Sequence, residues 1–392
     1  MRIAHVITRL ILGGAQENTL LCCEDLLRDY GDDVLLVTGP PLGPEGSLLE
    51  RARRQRVPLE IIPELRRAVN PWRDLAAYRH LRQTLRRFRP EVVHTHSAKG
   101  GILGRATAWS VGVPAIVHTV HGAPFHPYQP WVARALSRTC ERWAARRSDA
   151  LVSVADAMTE LMVAAGVAGR EKFTTVYSGM EVEPLLASAE HRQGVRAELG
   201  YADGQVVVGK IARLFHLKGH SYLIQAAQRV VQAQPQVRFL LVGDGLLRPE
   251  IERQIAAAGL AEHFQFAGLV SPERIPAMLS AMDVVVHTSL REGLARVLPQ
   301  ALIAGKPVVS YDVDGAREVV LPDVTGILLP PQSIEPLAEA IIRLAADAEL
   351  RARLGNEGRR RFAGQFRHEQ MTARLRLLYE RLLSGRTPSG KR

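Results

Sequence analysis

The feature that most constrains the fold is an alternation, along nearly the whole chain, of short apolar β-branched runs with longer segments of helical periodicity. In the first half the runs cover residues 3–7, 34–37, 92–94, 115–119 and 151–154. Helical segments separate them, for example 16–29 and 71–88. This alternation is typical of βαβ units, whose parallel strands form one sheet covered by helices.

The second half repeats the same architecture. Its predicted strands cover residues 206–211, 239–242, 264–266, 284–287, 308–310 and 326–329. Segment 178–205 interrupts the rhythm, and 392 residues are more than a single hydrophobic core usually holds. We therefore predict an α/β protein with an N-terminal domain (1–185), a C-terminal domain (186–366), and a C-terminal helix ending in a disordered tail (367–392).

Composition narrows the class of protein. Hydrophobic residues make up 46% of the chain and charged residues 23%, which is typical of a globular protein. The three cysteines are an odd number without framework spacing, which favours a reducing compartment. The apolar start is too short for a signal peptide or a membrane span. We expect a cytoplasmic protein, which can be peripheral on the cytosolic face of the inner membrane.

Positive charge is concentrated in two segments, although the net charge is +11. Residues 51–89 carry twelve Arg against Glu60, Glu64 and Asp74, and residues 351–392 are similarly basic. Such patches favour anionic partners. Within the first patch, Asn70-Pro71 predicts the start of a helix with an apolar stripe and an Arg-rich face. The favoured interpretation is a core-facing stripe with a solvated face. An anionic membrane surface remains an alternative partner, and nucleic acid is not expected because aromatic residues are not interleaved with the basic ones.

Two loops that follow predicted strands carry phosphate-binding features. Gly13 and Gly14 open the first helix, where free backbone N–H groups and the helix dipole favour an anion. Arg213 and Lys218 flank the first loop of the second half, and together they suit a diphosphate. The alternative for the glycine pair is a tight turn that binds no ligand. The alternative for Arg213 and Lys218 is that both are simply solvated cations.

The stretch from His287 to Ser310 is the most informative. Glu292-Gly293 follows a predicted strand, and Pro299 is predicted to be the first residue of the next helix. Arg296 adjoins that helix start, and Gln300 in its first turn can present an amide to a sugar or ribose hydroxyl. We expect Glu292 to contact a ligand.

Histidines also cluster in the first half. His94 and His96 are interpreted as structural residues at a strand end, and no third histidine or carboxylate is spaced in sequence to complete a metal site with them. His121-Gly122 follows a strand, so His121 is the histidine expected to face ligand. We predict a metal-independent protein without a cofactor, because two cations can supply the electrostatic stabilisation that a metal supplies elsewhere.

In their order along the chain, these stretches resemble family 4 glycosyltransferases, which are retaining, nucleotide-sugar-dependent enzymes. The matching stretches are Gly13-Gly14, Val92 to Ser97, His118 to Gly122, Tyr177 to Met180, Gly209 to Gly219, Leu241 to Gly245, and Glu292 to Pro307. The resemblance implies a GT-B fold of two Rossmann-like domains facing an interdomain cleft, with the C-terminal helix returning to the N-terminal domain. It also implies an N-terminal acceptor domain and a C-terminal domain for a UDP- or GDP-sugar.

The resemblance further assigns roles to residues. It implies that Gly14 lies near the donor diphosphate, that Arg213 and Lys218 neutralise it, and that His121 and Glu292 contact the donor sugar. The family's second acid is replaced by Gln300, which still hydrogen-bonds ribose but carries no charge. The expected reaction transfers a hexosyl unit to an acceptor glycan or lipid-linked sugar in polysaccharide, lipopolysaccharide or glycolipid assembly. The alternatives are a non-catalytic nucleotide-sugar-binding protein and a sugar-nucleotide epimerase of the same fold.

Overall fold

Parallel strands form two separate sheets in the computed structural model, which describes residues 1–43 and 46–385. The chain divides into two units. The N-terminal unit comprises Met1–Met180 and the chain from Arg367 onward, and the C-terminal unit comprises Glu181–Phe366. The first boundary between the units thus falls between Met180 and Glu181, whereas the sequence predicts it between residues 185 and 186.

The N-terminal unit contains a seven-stranded sheet in the order β3-β2-β1-β4-β5-β6-β7. All its pairings are parallel, with His5 of β1 opposite His94 of β4. The strands are β1 (Arg2–Arg9), β2 (Asp33–Gly39), β3 (Leu59–Ile61), β4 (Val92–His96), β5 (Ala115–Val120), β6 (Ala150–Ser153) and β7 (Phe173–Thr175). The helices between them are α1 (Gly14–Tyr30), α2 (Leu49–Arg54), α3 (Pro71–Phe88), α4 (Ala98–Ser110), α5 (Trp131–Ala145) and α6 (Asp156–Ala164).

The C-terminal unit contains a six-stranded parallel sheet in the order β10-β9-β8-β11-β12-β13. Its strands are β8 (Val206–Ile211), β9 (Val237–Val242), β10 (Phe264–Gly268), β11 (Val284–His287), β12 (Val308–Tyr311) and β13 (Gly326–Leu329). Its helices are α7 (Glu183–Leu186), α8 (Arg192–Glu198), α9 (His220–Ala233), α10 (Arg248–Ala257), α11 (Ile275–Ala281), α12 (Val297–Ile303), α13 (Ile334–Ala346) and α14 (Ala348–Phe362).

The last described helix, α15 (His368–Ser384), packs on α1 of the N-terminal unit. Its Leu375, Leu378 and Tyr379 join the hydrophobic core of that unit. Arg376 pairs with the buried Asp32 at 3.0 Å, which ties the end of the chain to its beginning. The predicted return of the C-terminal helix to the N-terminal domain is therefore confirmed. The predicted tail starts at Ser384, which is the last residue of α15, and residues 386–392 of it lie outside the described residues.

Every strand that the sequence patterns predict is present, so the α/β class with two Rossmann-like sheets is confirmed. The prediction missed β3 and β7, which are the two edges of the N-terminal sheet. Each has three residues and pairs on one side only, so neither needs a long β-branched run. Among the described residues, none of the helices has the length and apolarity needed to span a bilayer.

One helix start differs from the prediction. Helix α12 begins at Val297, so Pro299 is its third residue rather than its first. A proline tolerates any position in the first turn, because none of the first N–H groups of a helix has an intrahelical acceptor. The predicted helix 71–88 is confirmed at both ends, and the Asn70 side chain accepts a hydrogen bond from the Arg73 N–H at 3.0 Å.

Candidate functional site

Three loops meet at the carboxyl edge of the C-terminal sheet, because β8, β11 and β12 are neighbouring parallel strands. Backbone hydrogen bonds join the loops to one another. Leu290 donates to the carbonyl of Leu217 at 2.8 Å, and Gly315 donates to the carbonyl of Gly293 at 3.0 Å. The sequence-predicted residues of this unit therefore lie on one braced edge, which is where open parallel sheets bind ligands.

Lys218 and Glu292 form an ion pair across two of these loops. His287, at the end of β11, lies with Nε2 3.6 Å from Glu292 Oε1. Burial raises the pKa of Glu292, but Lys218 and His287 outweigh burial, so the net shift of the pKa is downward. The Glu292 backbone N–H donates to Asp314 Oδ2 at 2.5 Å. Glu292 is thus a fixed, ionised carboxylate that can accept hydrogen bonds.

A second lysine lies beneath this pair. Lys210 belongs to β8 and is 1% exposed, yet its ammonium donates to Thr288 Oγ1 at 2.8 Å. Thr288 in turn donates to the carbonyl of Gly219 at 2.7 Å. Burial and the neighbouring Lys218 lower the pKa of Lys210 to about 7, against the opposing effect of Glu292. Lys210 therefore braces the turn that carries Lys218 and changes charge near neutral pH.

Gly219 has to be a glycine at this turn. Its φ of +67° is left-handed, and an added Cβ would lie 2.0 Å from the Thr288 carbonyl oxygen. The close approach lets helix α9 begin two residues after Lys218, with the buried His220 as its first residue. His220 Nε2 lies 3.2 Å from the Arg213 carbonyl oxygen, which fixes the other end of the same loop.

Arg213 is placed differently from Lys218. Its side chain is exposed, and its guanidinium carbon lies 5.1 Å from the centre of the Phe215 ring. Loop residues 215–217 also line a cavity of about 180 Å³ together with Tyr222 and Leu290. The two predicted cations thus lie on one loop, with Lys218 held by Glu292 and Arg213 extended over an aromatic ring.

Gly293 and Gln300 follow Glu292 along the same edge. Gly293 is buried and accepts the Gly315 hydrogen bond. Gln300 is half-buried in the first turn of α12, and its backbone N–H bonds the Arg296 carbonyl at 3.1 Å. Gln300 therefore remains in the first turn, as the sequence predicts, although that turn starts earlier.

In the N-terminal unit, Gly13 and Gly14 lie where the sequence places them. Helix α1 begins at Gly14, and the Gly13 carbonyl accepts the Glu17 N–H at 3.0 Å. Gly13 is extended, with φ of 176°, and an added Cβ would meet Gln16 Oε1 at 2.7 Å. The glycine pair thus gives the strand–helix turn its close packing and leaves the first N–H groups of a long helix at the sheet edge.

His121 follows β5, and its Nε2 lies 3.1 Å from His96 Nδ1. His96 Nε2 lies 3.0 Å from His5 Nδ1, so the hydrogen bonds continue into the sheet. His94, also in the sheet, contacts Tyr379 Oη at 2.5 Å and Thr119 Oγ1 at 2.7 Å. These four histidines form an array within the N-terminal unit. His121 is its half-buried end, and His5, His94 and His96 are fully buried.

His94 and His96 have a third histidine beside them, contrary to the expectation from sequence spacing. The β1–β4 register brings His5 beside them, and ring nitrogens of the three lie within 4.8 Å of one another. Burial lowers the pKa of His5 to about 3, and burial together with neighbouring histidines lowers the pKa values of His94 and His96. All three are neutral and hydrogen-bonded, which fits the structural interpretation of His94 and His96.

Sequence reasoning assigned no role to Lys210, Thr288, His287, Asp314 or His5. One signal for Lys210 was present, because a charged residue inside an otherwise apolar strand needs a buried partner. The partners of the others follow from strand order, which no local pattern reveals.

Two family models match the chain. One, described as glycosyl transferases group 1, matches residues 192–361, and the other, described as a glycosyl transferase 4-like domain, matches residues 13–179. The 2-deoxystreptamine glucosyltransferase of Streptomyces kanamyceticus is 30% identical over 72% of this chain and 74% of its own. The UDP-Gal:alpha-D-GlcNAc-diphosphoundecaprenol alpha-1,3-galactosyltransferase of Escherichia coli is 27% identical over 89% of each chain.

Solved structures share the fold. HepE of Anabaena, crystallised in complex with UDP-glucose, superimposes with a TM-score of 0.81 at 24% identity, covering 97% of this chain and 100% of HepE. WaaG, a glycosyltransferase involved in lipopolysaccharide biosynthesis, gives a TM-score of 0.74 at 16% identity over 97% of this chain and 99% of WaaG.

Proposed function

This chain belongs to the group 1 glycosyl transferases, and from that premise we propose that it moves a hexosyl unit from a UDP- or GDP-sugar to an acceptor hydroxyl with retention of configuration. The C-terminal unit holds the donor in this proposal, and the N-terminal unit holds the acceptor. The observation that carries it is the Lys218–Glu292 ion pair on two loops that backbone hydrogen bonds lock together.

The two cations act on the leaving group. When the bond between sugar and diphosphate breaks, negative charge accumulates on the departing phosphate oxygens. Arg213 and Lys218 stabilise that charge more strongly in the transition state than in the bound donor, which is what accelerates a reaction. Because Lys218 is already positioned by Glu292 and the Gly219 turn, little reorganisation is needed when the charge develops.

Glu292 and Gln300 position the donor. The ionised Glu292 accepts hydrogen bonds from sugar hydroxyls, since Lys218 and His287 lower its pKa. Gly293 lets the backbone approach the ligand, and the Gln300 amide contacts the ribose. For the N-terminal unit, His121 and the Gly13-Gly14 turn are proposed as ligand-contacting residues on the family resemblance alone. The leaving phosphate takes the acceptor proton in this proposal, so Glu292 orients the sugar and does not act as an acid or a base.

The acceptor is a hydroxyl of a glycan or lipid-linked sugar. The name of the Escherichia coli relative specifies a sugar acceptor linked to diphosphoundecaprenol, and this relative matches most of the chain. Such an acceptor would place the protein at the cytosolic face of a membrane, consistent with its excess of arginine.

The first experiment is a screen of the full-length protein with UDP-glucose, UDP-galactose, UDP-N-acetylglucosamine and GDP-mannose. We expect sugars of one nucleotide to raise the melting temperature, and one of them to release free UDP or GDP slowly. A stable complex that releases no nucleotide, with or without added glycan or lipid-linked acceptors, would indicate a binding protein. Conversion to a different sugar nucleotide would indicate an epimerase.

A matched pair of variants tests the site itself. Lys218→Met should abolish nucleotide release, because it removes the cation and leaves Glu292 unpaired. Arg253→Met, on the exposed face of α10, should release nucleotide at the parental rate. Equal rates in the two variants would exclude the assigned role of Lys218.

A further inference from the structure

Large apolar side chains are exposed at the starts of two helices of the N-terminal unit. Val69 and Trp72, at the start of α3, are 84% and 83% exposed. Trp131 and Leu136, in α5, are 75% and 63% exposed, and Tyr128 just before α5 is also exposed. A tryptophan gains by burying its ring, so two this exposed on one unit need an explanation.

The two helix starts lie on the same rim of the sheet. In a parallel sheet, a helix that follows a strand begins at the carboxyl edge. Helix α3 follows β3 and α5 follows β5, and α4 packs against both of them. We call residues 66–79 and 126–138 together the aromatic rim.

The outward face of α5 is apolar, which is the reverse of an ordinary surface helix. Val132, Leu136 and Trp143 recur at steps of four and seven residues and are exposed. The opposite face carries Glu141, which is 2% exposed and pairs with the buried Arg105 at 2.8 Å. The helix is therefore anchored by its polar face and presents its apolar face to solvent.

Arginine supplies nearly all the charge of the aromatic rim. It contains Arg66, Arg67, Arg73, Arg79, Arg134 and Arg138, and its one acid is Asp74. Asp74 is paired with Lys99, at 2.5 Å. Elsewhere in the basic segment 51–89, several arginines are matched by acids, as in Arg51–Glu24, Arg53–Glu50 and Arg87–Glu60. Among the described residues, the exposed Arg67 and Arg79 thus carry charge without an acid partner beside Trp72, whereas Arg138 is half-buried and donates to the Ala165 carbonyl at 3.0 Å.

We propose that the aromatic rim docks on a surface of anionic phospholipid headgroups, with Trp72, Trp131 and Leu136 inserted among them. Tryptophan beside arginine suits the headgroup layer, where rings are half-desolvated and cations face phosphate. The proposal deepens the proposed function, since a lipid-linked acceptor is presented at such a surface. It also moves the predicted membrane contact from the arginine-rich face of 51–89 to the start of α3 and to α5.

Vesicle flotation of the full chain tests the docking. Vesicles of phosphatidylcholine with phosphatidylglycerol should bind the protein, and pure phosphatidylcholine should bind it at least about tenfold more weakly, because each arginine near an anionic surface contributes about a fivefold factor. Trp72→Ser with Trp131→Ser should lower binding roughly tenfold. Arg67→Gln with Arg79→Gln, which removes two exposed arginines, should lower it by about 25-fold and weaken the preference for the anionic lipid.

Leu377→Ser is the matched control, because Leu377 is 60% exposed on α15, outside the aromatic rim. It should bind vesicles as the parent does. An equal loss in the control, or no binding of the parent to anionic vesicles, overturns the proposal. So does a dimer of the parent that the tryptophan variants dissociate, because the rim would then contact a second copy. Vesicle binding without nucleotide release would support the docking proposal and refute the transferase proposal. Failure of the docking proposal can therefore be distinguished from failure of the proposed function.

Discussion

The ammonium of Lys210 is hydrogen-bonded to the hydroxyl of Thr288 although the lysine is almost completely buried. Through Thr288 it contacts the carbonyl of Gly219, next to the loop lysine that pairs with Glu292. The buried Lys210 therefore supports the turn that carries Lys218, and burial together with Lys218 lowers the pKa of Lys210. This arrangement makes the charge of the site depend on pH near neutrality.

Lys210 should make stability depend on pH. Its folded pKa of about 7 lies below its ordinary value of 10.5, so the unfolded chain holds the proton more tightly. The free energy of unfolding should therefore rise with pH between about 7 and 10, by on the order of a few kcal/mol. Lys210→Met should lack this rise, measured by urea unfolding at several pH values. A parallel pH profile in the two proteins would contradict the assignment.

Arg213→Ala should reduce turnover of the donor by roughly 10²–10³, the usual loss when one preorganised charge-stabilising group is removed. Its KM for the donor should change less, because the charge it neutralises is largest in the transition state. Steady-state assays with the donor found in the screen provide the measurement. Arg253→Ala serves as control, and a parental kcat for Arg213→Ala would remove Arg213 from the mechanism.

Gln300→Glu restores the acid that resembling enzymes carry at this position. A hydrogen bond to a charged acceptor is stronger than one to an amide by about 1 kcal/mol, so the donor should bind roughly fivefold more tightly. Titration calorimetry with the free nucleotide isolates this effect from catalysis. The exposed Gln232→Glu on α9 should leave affinity unchanged. Unchanged affinity in Gln300→Glu would argue against a ribose contact.

The buried pair of Arg105 and Glu141 should be costly to break. Glu141→Ala leaves the Arg105 guanidinium, which is 0% exposed, without its carboxylate, and should destabilise the N-terminal unit by about 3–5 kcal/mol. All four tryptophans, Trp72, Trp109, Trp131 and Trp143, belong to this unit, so tryptophan fluorescence reports its unfolding. Removing an exposed partner in the same unit, as in Glu50→Ala, should cost less than about 1 kcal/mol. A similar small cost for Glu141→Ala would contradict the burial argument.

The histidine array should make the N-terminal unit sensitive to acid. His5, with a folded pKa of about 3, stays neutral while the unfolded chain protonates near its ordinary 6.5, so stability is complete above that pH and is lost as pH falls towards 3. His5→Gln should reduce the slope of unfolding free energy between pH 4 and 6 by about 1.4 kcal/mol per pH unit. Fluorescence-monitored acid titration measures the slope, and an unchanged slope would mean that His5 does not titrate as described.

Local patterns sufficed for the interior strands and for α3. A strand buried on both faces needs a continuous apolar run, as the valines at 284–286 show, and Asn70-Pro71 fixed the first turn of α3. The edges β3 and β7 were missed because each has only three residues, which is too short for a recognisable periodic pattern. Pro299 was misplaced because a proline fits several positions of a first turn, and only the packed helix selects one.

The sequence by itself determined the order of strands and helices along the chain, and which loops carry Arg213, Lys218 and Glu292. Tertiary structure alone decided that Lys210 meets Thr288, that His5 joins His94, and that His94 contacts Tyr379 across 285 positions. The physical reason is that periodicity and capping act over one or two turns of chain. Which side chains meet depends instead on strand order and register, and these are set by packing of the whole unit.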